Sequence, residues 1–177
     1  FLFLILWILL LGFATPMALV AGFLFGKIYG TLISVFGFTI GCTLLYIFAN
    51  QYFKSLILEK LSKRISKFKE IFNKNEFFYF MIFRLAGGGG TPFAIQNLLP
   101  VLFNMKVKNY FFSTLIGLFP MVFILNAIGS GIEKIIENNI DPSFLTMIQN
   151  KEIYFPILGF FIILFLSFLL RKIYFKK

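Results

Sequence analysis

One arginine stands in a long uncharged part of the sequence. Arg84 is the only charged residue between Phe77 and Met105, and four consecutive glycines follow it at positions 87–90. An ionisable side chain in a membrane segment costs about 2.5–3.5 kcal/mol on the mild insertion scale, so it usually marks a substrate path or a partner. Because a guanidinium matches phosphate and carboxylate oxygens, we predict that Arg84 binds an anion. The alternative is an arginine that reaches the membrane surface or caps a helix.

The residues that follow Arg84 could complete an anion site. A glycine turn before a helix N-terminus can present backbone N–H groups to an anion, and amides on the next half-helix would face the interior. The predicted substrate-binding residues are Arg84, Gly88, Gly89, Gly90, Thr91, Pro92, Gln96 and Asn97. The alternatives are a purely structural turn and amides that serve only helix packing.

The residue inventory excludes several kinds of chemistry. The chain has no His and one Cys, Cys42, so it lacks the residues for His-based metal sites, for Ser-His-Asp catalysis and for an internal disulfide. All seven acidic residues lie in loops or at loop edges, whereas a proton-coupled pump usually carries an acidic residue inside the membrane. We therefore expect no metal, no cofactor and no enzymatic activity.

The composition indicates an integral membrane protein. The 177 residues are 59% hydrophobic and 14% charged, and 28 of them are Phe. Soluble domains are about 45–50% apolar and about 25% charged. Five uncharged runs can be recognised, at residues 1–26, 28–53, 85–105, 109–132 and 153–170. The first and third contain several Gly and Pro residues, which predict re-entrant hairpins, and the other three predict membrane-spanning helices.

The charges predict the topology. The loop at 54–76 and the tail at 171–177 are basic, whereas the loop at 133–152 is acidic. The positive-inside rule places the two basic segments in the cytoplasm and the acidic loop outside. The third run must then return to the side it entered from. We therefore predict a multi-pass protein of the plasma (inner) membrane, and not a nucleic-acid-binding protein.

The sequence also contains an internal repeat with an offset of 76 residues. The pattern Gly-x-x-Thr-Pro-x-Ala occurs at Gly12 and again at Gly88, at the break in each interrupted run. The topology makes the spans that follow run in opposite directions, which predicts an inverted repeat of the kind that many transporters have. The alternative is chance identity in a chain of few residue types.

The resulting architecture is all-α, with one membrane domain over residues 1–177. Its predicted parts are a first hairpin and span (12–53), a cytoplasmic amphipathic helix (54–76), a second hairpin and span (77–132), an external loop (133–152), and a last span with a basic tail (153–177). The amphipathic helix is predicted from an apolar stripe, which comprises Ile57, Leu61, Ile65, Phe68 and Phe72.

Several short motifs, in their order, resemble a known family. In the first half these are Pro16, the segment at 21–26, Gly30 and Gly37-x-x-x-Gly41. The second half has Phe83-Arg84-Leu85, Pro92-Phe93, Gln96-Asn97, Gly117-x-x-Pro120 and Gly129-Ser130. Over about residues 12–132 the chain resembles the DedA/VTT-domain superfamily of SNARE-associated Golgi proteins, with the best fit to bacterial relatives of the yeast Golgi Tvp protein.

The resemblance implies two re-entrant hairpins that meet at mid-membrane and a functional arginine at Arg84. Relatives are implicated in recycling undecaprenyl phosphate, in scrambling phospholipids and in membrane-potential homeostasis. This chain has Ala14-Thr15 and Cys42 where DedA proper has acidic residues, Ala49-Asn50 where it has Gly-Arg, and no second arginine in the second hairpin. These departures argue against proton coupling by the DedA mechanism.

We therefore expect a DedA/VTT-type membrane transporter, either a flippase or scramblase of phospholipids or polyprenyl phosphates, or a protein of anion-linked transport. The expected partners are membrane lipids, including those with anionic headgroups, and a homo-oligomer is left open. The alternative is a membrane scaffold or homeostasis protein that transports nothing. A water-accessible polar cleft around Arg84 would favour transport, and a dry interior would favour the scaffold.

Overall fold

The fold is built from helices, as the sequence predicts. The computed structural model describes residues 1–56, 58–59, 72, 75–138, 149–151, 153–159, 161–162 and 165. Within these residues there is no strand. The α-helices are α1 (Leu2–Leu11), α2 (Thr15–Tyr52), α3 (Glu76–Leu85), α4 (Phe93–Leu98) and α5 (Val107–Glu137). Two 3₁₀ turns, Gly87–Gly90 and Leu99–Phe103, flank α4.

Two of these helices are long and apolar enough to cross a membrane. They are α2, with 38 residues, and α5, with 31 residues. A crossing requires about 20 mainly apolar residues, so both exceed the minimum by length and composition. They contain two of the three predicted spans. Of the third, at 153–170, residues 153–159, 161–162 and 165 are helical, and the others lie outside the described residues.

Glycine residues end α1 and interrupt α2. Helix α1 ends at Gly12, whose φ of 68° is left-handed, a conformation that favours glycine. Helix α2 then begins at Thr15 with Pro16 in its first turn, where a missing N–H does no harm. Gly26, at φ 72° and ψ 171°, interrupts α2 and separates residues 15–25 from residues 27–52. The predicted first hairpin and first span meet at this interruption.

Polar residues define the helix ends on either side of Arg84. Asn75 caps α3 by accepting a hydrogen bond from the Phe78 N–H at 3.1 Å. Glu76, in the first turn of α3, accepts hydrogen bonds from the Lys106 N–H at 3.2 Å and from Asn109 Nδ2 at 2.6 Å. Its carboxylate thereby ties α3 to the start of α5. Asn104, at φ 52°, ends the second 3₁₀ turn just before α5.

The chain divides into two compact units. The first unit consists of Phe1–Met17 and Ile33–Phe119, and it contains α1, α3, α4 and all the predicted site residues. The second unit consists of Ala18–Leu32 and Pro120–Lys177. In the second unit a Cβ atom on Gly22 would overlap the backbone of Asn126, and one on Gly129 would overlap the carbonyl oxygen of Leu19. Small residues therefore allow its helices to approach at backbone distance.

Most of the predicted amphipathic helix lies outside the described residues. This applies to Ile57, Leu61, Ile65 and Phe68 and to most of the basic residues between them. Phe72 is described, and its side chain is buried and stacked on the ring of Phe103, with the ring centroids 4.5 Å apart. This residue of the apolar stripe thus packs against the protein. Residues 139–148 and 166–177 also lie outside the described residues.

Candidate functional site

Arg84 lies inside the first unit and is held by three neutral side chains. It occupies the last turn of α3, and only 2% of its surface is exposed. Its Nη2 donates hydrogen bonds to Asn97 Oδ1 at 2.5 Å and to the Tyr110 hydroxyl at 3.1 Å. Its Nη1 donates to Gln96 Oε1 at 3.3 Å. The guanidinium is therefore engaged by α4 and α5, and it does not extend to an exposed surface.

Aromatic rings surround the same guanidinium. The Arg84 Cζ lies 5.0 Å from the centroid of the Phe80 ring, 5.2 Å from that of Phe93 and 6.0 Å from that of Tyr110. A cation within about 6 Å of a ring face is attracted by the ring quadrupole, most strongly where water is excluded. The Cys42 thiol, from α2, also faces Arg84 and Asn97. The rings and amides solvate the charge in place of water.

None of these partners can neutralise the charge of Arg84. Its neighbours in the described part of the chain are two amides, a phenol, a thiol and phenyl rings, and no carboxylate forms an ion pair with it. Two buried donors near the charge, Arg84 Nε and Asn97 Nδ2, have no hydrogen bond of good geometry. The Cys42 sulfur that faces both side chains is only a weak acceptor. Buried polar groups are nearly always hydrogen-bonded. A buried positive charge with two free donors matches a ligand that is anionic and accepts hydrogen bonds.

Close packing against α5 fixes the stem of Arg84. A Cβ atom on Gly117 would overlap the Cβ of Arg84 and lie 3.1 Å from the carbonyl oxygen of Met81. Only glycine fits this crossing of α3 and α5. Tyr110, on the same helix, stacks on Tyr46 with ring centroids 4.7 Å apart, and the Tyr46 hydroxyl donates to the Met105 carbonyl at 2.5 Å. Helix α5 therefore presents a fixed phenol to the guanidinium.

Gln96 connects the guanidinium to the glycine turn. Besides accepting from Arg84, its amide donates through Nε2 to the Thr91 carbonyl at 2.8 Å and to the Gly87 carbonyl at 3.4 Å. The Thr91 hydroxyl in turn donates to the Gly88 carbonyl at 2.7 Å. Gly88 is left-handed at φ 69°, and a Cβ atom there would overlap the Gln96 amide. The turn is thus shaped around Gln96.

The structure brings some of the predicted site residues together and leaves others apart. Arg84, Gln96 and Asn97 form one hydrogen-bonded cluster, and Gly88 and Thr91 reach it through Gln96. Gly89 and Gly90 belong to the 3₁₀ turn, and Pro92 is the N-cap of α4; none of these three has a described hydrogen bond to the guanidinium. Their predicted role as backbone donors to an anion stays a prediction.

Sequence reasoning missed the aromatic residues of the site and did not place Cys42 in it. Phe80 precedes Arg84 by one helical turn, so its proximity could have been read from the spacing of four residues. Tyr110 precedes Gly117 by two turns, which places both residues on one face of α5. The contact between α3 and α5, which brings Phe80 and Tyr110 to the same site, cannot be predicted from the spacing of residues within either helix.

The site is closed to solvent in this conformation. Asn97 and Tyr110 have no exposed surface, and Gln96 has 7%. By contrast, Gly87 and Gly90 are exposed, and a Cβ atom on either would meet nothing within 4 Å. A ligand can therefore reach the guanidinium only if part of the surrounding structure moves.

The comparison with known families gives one match. The VTT domain matches residues 13–131, which include α2, α3, α4 and most of α5. The matched region contains every predicted site residue. No solved structure matches the chain significantly.

Proposed function

The chain belongs to the VTT-domain (DedA/SNARE-associated) family of membrane proteins, and on that premise we propose that it moves lipids with anionic headgroups between membrane leaflets. In this proposal the protein is a flippase or scramblase and not an enzyme. Arg84 is the residue that binds the headgroup. The observation that carries the proposal is the buried, unneutralised guanidinium with two free hydrogen-bond donors beside it.

The energetics of burial support a ligand-binding role for Arg84. An unpaired charge in an apolar interior is strongly unfavourable, and a protein that only needed packing would place an apolar side chain there. Three amide and hydroxyl partners reduce that penalty but leave a net charge of one. A headgroup phosphate would supply the missing negative charge and accept from Arg84 Nε and Asn97 Nδ2. These free donors are thus explained by a ligand.

Backbone geometry supports the proposed inverted repeat of re-entrant hairpins. Gly12 and Gly88, 76 residues apart, have φ values of 68° and 69°, and a Thr-Pro pair marks the start of the helix that follows each of them. Thr15-Pro16 forms the first turn of α2, and Thr91-Pro92 directly precedes α4. A second break then precedes a long helix in both regions, at Gly26 and at Asn104. We propose that the two interrupted segments enter and leave the membrane on one side, and that the long helices cross it in opposite directions.

We propose the membrane orientation that the distribution of charged residues supports. The basic segment at 54–76 and the C-terminus would lie in the cytoplasm, and the acidic segment at 133–152 would lie outside an inner membrane. The first five residues of the acidic segment are the last turn of α5, which ends at Glu137 and so extends beyond the predicted span. In this orientation the side chains of the basic segment meet anionic headgroups of the cytoplasmic leaflet. Lipids with such headgroups are the proposed substrates, so the basic segment would raise their concentration near the hairpins.

The proposal is tested by reconstituting the full chain in liposomes and measuring leaflet exchange of lipids with a fluorescent headgroup. Arg84→Ala should abolish exchange. Arg84→Lys should restore only part of it, because an ammonium cannot make the bidentate contact of a guanidinium. Ile8→Ala is the matched control, since Ile8 is equally buried and also lies against a glycine. If Arg84→Lys is fully active, Arg84 does not bind the headgroup.

The alternative function is a membrane scaffold that transports nothing. The observation that favours it is the closed site, in which Arg84 keeps only 2% of its surface exposed. A scaffold would use the guanidinium to fasten α3 to α4 and α5. In that case Arg84→Ala would lower expression and thermal stability, and the wild-type protein would not accelerate exchange of any lipid. Transport predicts exchange by the wild type and its loss in a variant that still folds.

A further inference from the structure

The charge count of the site selects among anionic headgroups. We infer that the Arg84 site takes phosphodiester headgroups, which carry a single negative charge, and discriminates against the dianionic form of phosphomonoesters. This inference rests on the proposed function, since it names the substrate class of the same site. It follows from the guanidinium, its neutral partners and the two free donors.

The first step is the balance of charge. Arg84 contributes one positive charge, and the partners described above contribute none. A monoanionic phosphodiester makes the loaded site neutral. A phosphomonoester that has lost its second proton leaves a buried excess of one negative charge, and an uncompensated buried charge is expensive.

The second step is the protonation of the site itself. Two titratable groups face the guanidinium in the described residues, namely the Cys42 thiol from α2 and the Tyr110 phenol from α5. Helix α4 contributes only Gln96, Asn97 and the Phe93 ring. A thiol and a phenol are neutral acids at pH 7, so neither adds a positive charge that could balance a second negative one.

The third step is the number of free donors. Arg84 Nε and Asn97 Nδ2 are the two unpartnered donors around the guanidinium. A phosphodiester has two non-bridging oxygens that share one charge, so each free donor can have one acceptor. The three oxygens of a phosphomonoester dianion require more donors than the described site offers without breaking the bonds to Gln96 or Tyr110.

The experiment compares two lipids that differ only in this charge. Liposomes containing the full wild-type chain carry either phosphatidic acid, a phosphomonoester, or phosphatidylmethanol, its diester with the same tails. The second pKa of phosphatidic acid is first measured in the same liposomes, because neighbouring negative charges at the membrane surface raise it above the value near 6 of a free phosphomonoester. The monoanion then falls from about 90% at about one pH unit below that pKa to about 3% at about 1.5 units above it, and exchange is compared at these two pH values. Exchange of phosphatidic acid should then fall by more than tenfold, up to about 30-fold, relative to phosphatidylmethanol.

Each outcome has a defined consequence. Phosphatidylmethanol reports the effect of pH on the protein, because its charge is constant over this range. Equal exchange of both lipids at both pH values would overturn the inference and leave the proposed function standing. If neither lipid is exchanged faster than in protein-free liposomes, both the proposed function and the inference are wrong.

A charge variant tests the same inference by another route. Asn97→Asp is nearly isosteric and makes the empty site neutral, so it should favour a zwitterionic headgroup over a monoanion. We expect the exchange ratio of phosphatidylcholine to phosphatidylmethanol to rise more than tenfold relative to the wild type. A structural defect would lower both rates together and leave the ratio unchanged, and an unchanged ratio would count against the inference.

Discussion

Ile8 and Arg84 occupy equivalent positions in two regions that are 76 residues apart in sequence. Each side chain is buried on its helix one turn after another buried residue, Leu4 or Phe80. Each lies against a glycine of the long helix that follows. A Cβ atom on Gly41 would lie 2.9 Å from the Cβ of Ile8, and one on Gly117 would overlap the Cβ of Arg84. The glycines are also 76 residues apart.

The difference between the two regions lies in their chemistry. The first region has Val20 and Ala21 at the positions of Gln96 and Asn97. In the first region Ile8 therefore occupies the position that Arg84 has in the second. It packs against Gly41 as Arg84 packs against Gly117. Packing therefore does not require a charge at this place. The charge and its amide partners occur together in the second region, as a ligand-binding role requires.

Exchanging the residue types between the two regions should give the largest effect. Ile8→Arg buries a charge among apolar neighbours and should destabilise the protein by about 3–5 kcal/mol, the cost of an uncompensated buried charge. The reciprocal change, Arg84→Ile, should cost less, because it removes a charge while two amide oxygens and the Tyr110 hydroxyl lose a donor. Thermal unfolding of the purified variants in detergent measures both. Equal destabilisation by the two changes would show that the regions do not differ in this way.

The glycine that faces each side chain provides the next test. Gly117→Ala should destabilise the protein by about 1–3 kcal/mol and lower lipid exchange, because the added methyl group displaces the stem of Arg84. Gly41→Ala should cost less, since its nearest atoms are 2.9 Å and 3.0 Å away, and it should spare exchange. Unfolding midpoints and exchange rates of both variants test this order. Loss of exchange in Gly41→Ala at normal stability would break the comparison.

The left-handed glycines should give a smaller effect. Alanine at Gly12, Gly87 or Gly88 adopts φ near 69° at a cost of about 1–2 kcal/mol. Gly88→Ala should cost more than this because its methyl group also displaces Gln96, whereas Gly87→Ala has open space. Unfolding midpoints of the three variants separate backbone strain from the displacement of Gln96. If Gly87→Ala and Gly88→Ala lower the unfolding midpoint equally, the turn is not shaped around Gln96.

The smallest expected effect is that of the threonine after each glycine. Thr91→Val removes the hydrogen bond to the Gly88 carbonyl and should cost about 0.5–1.5 kcal/mol. Thr15→Val is the matched control, because its hydroxyl has no hydrogen bond within the residues described. Thr91→Val should lower the unfolding midpoint slightly more than Thr15→Val does. A larger loss for Thr15→Val would show that the hydrogen bond of Thr91 does not stabilise the turn.

Much of the helical architecture could be predicted from the sequence, because it depends on local physics. The uncharged runs predicted helices. Gly12, Gly26 and Gly88 predicted where the helices are interrupted, because a left-handed φ favours glycine. The family was predicted from the order of short motifs and is confirmed by the VTT match. The burial of Gln96 and Asn97 was also predicted, from their position on a half-helix that follows a turn.

The rest of the site depends on contacts between distant segments. Tyr110 approaches Arg84 because α5 crosses α3 at Gly117, and Cys42 approaches it from α2. No spacing within a helix encodes these approaches. The free donors at Arg84 Nε and Asn97 Nδ2 are likewise a result of three-dimensional placement, since the sequence shows only that donors exist.

The unpaired charge of Arg84 has an electrical consequence. A charge that crosses the full membrane potential exchanges about 2.3 kcal/mol for every 100 mV. An empty site carries one such charge, so the potential across the bilayer acts directly on any movement of Arg84 along the membrane normal. A site that holds a monoanion is neutral, and the field exerts no net force on it. Under the proposed lipid transport, the voltage would act on the step in which the protein returns empty.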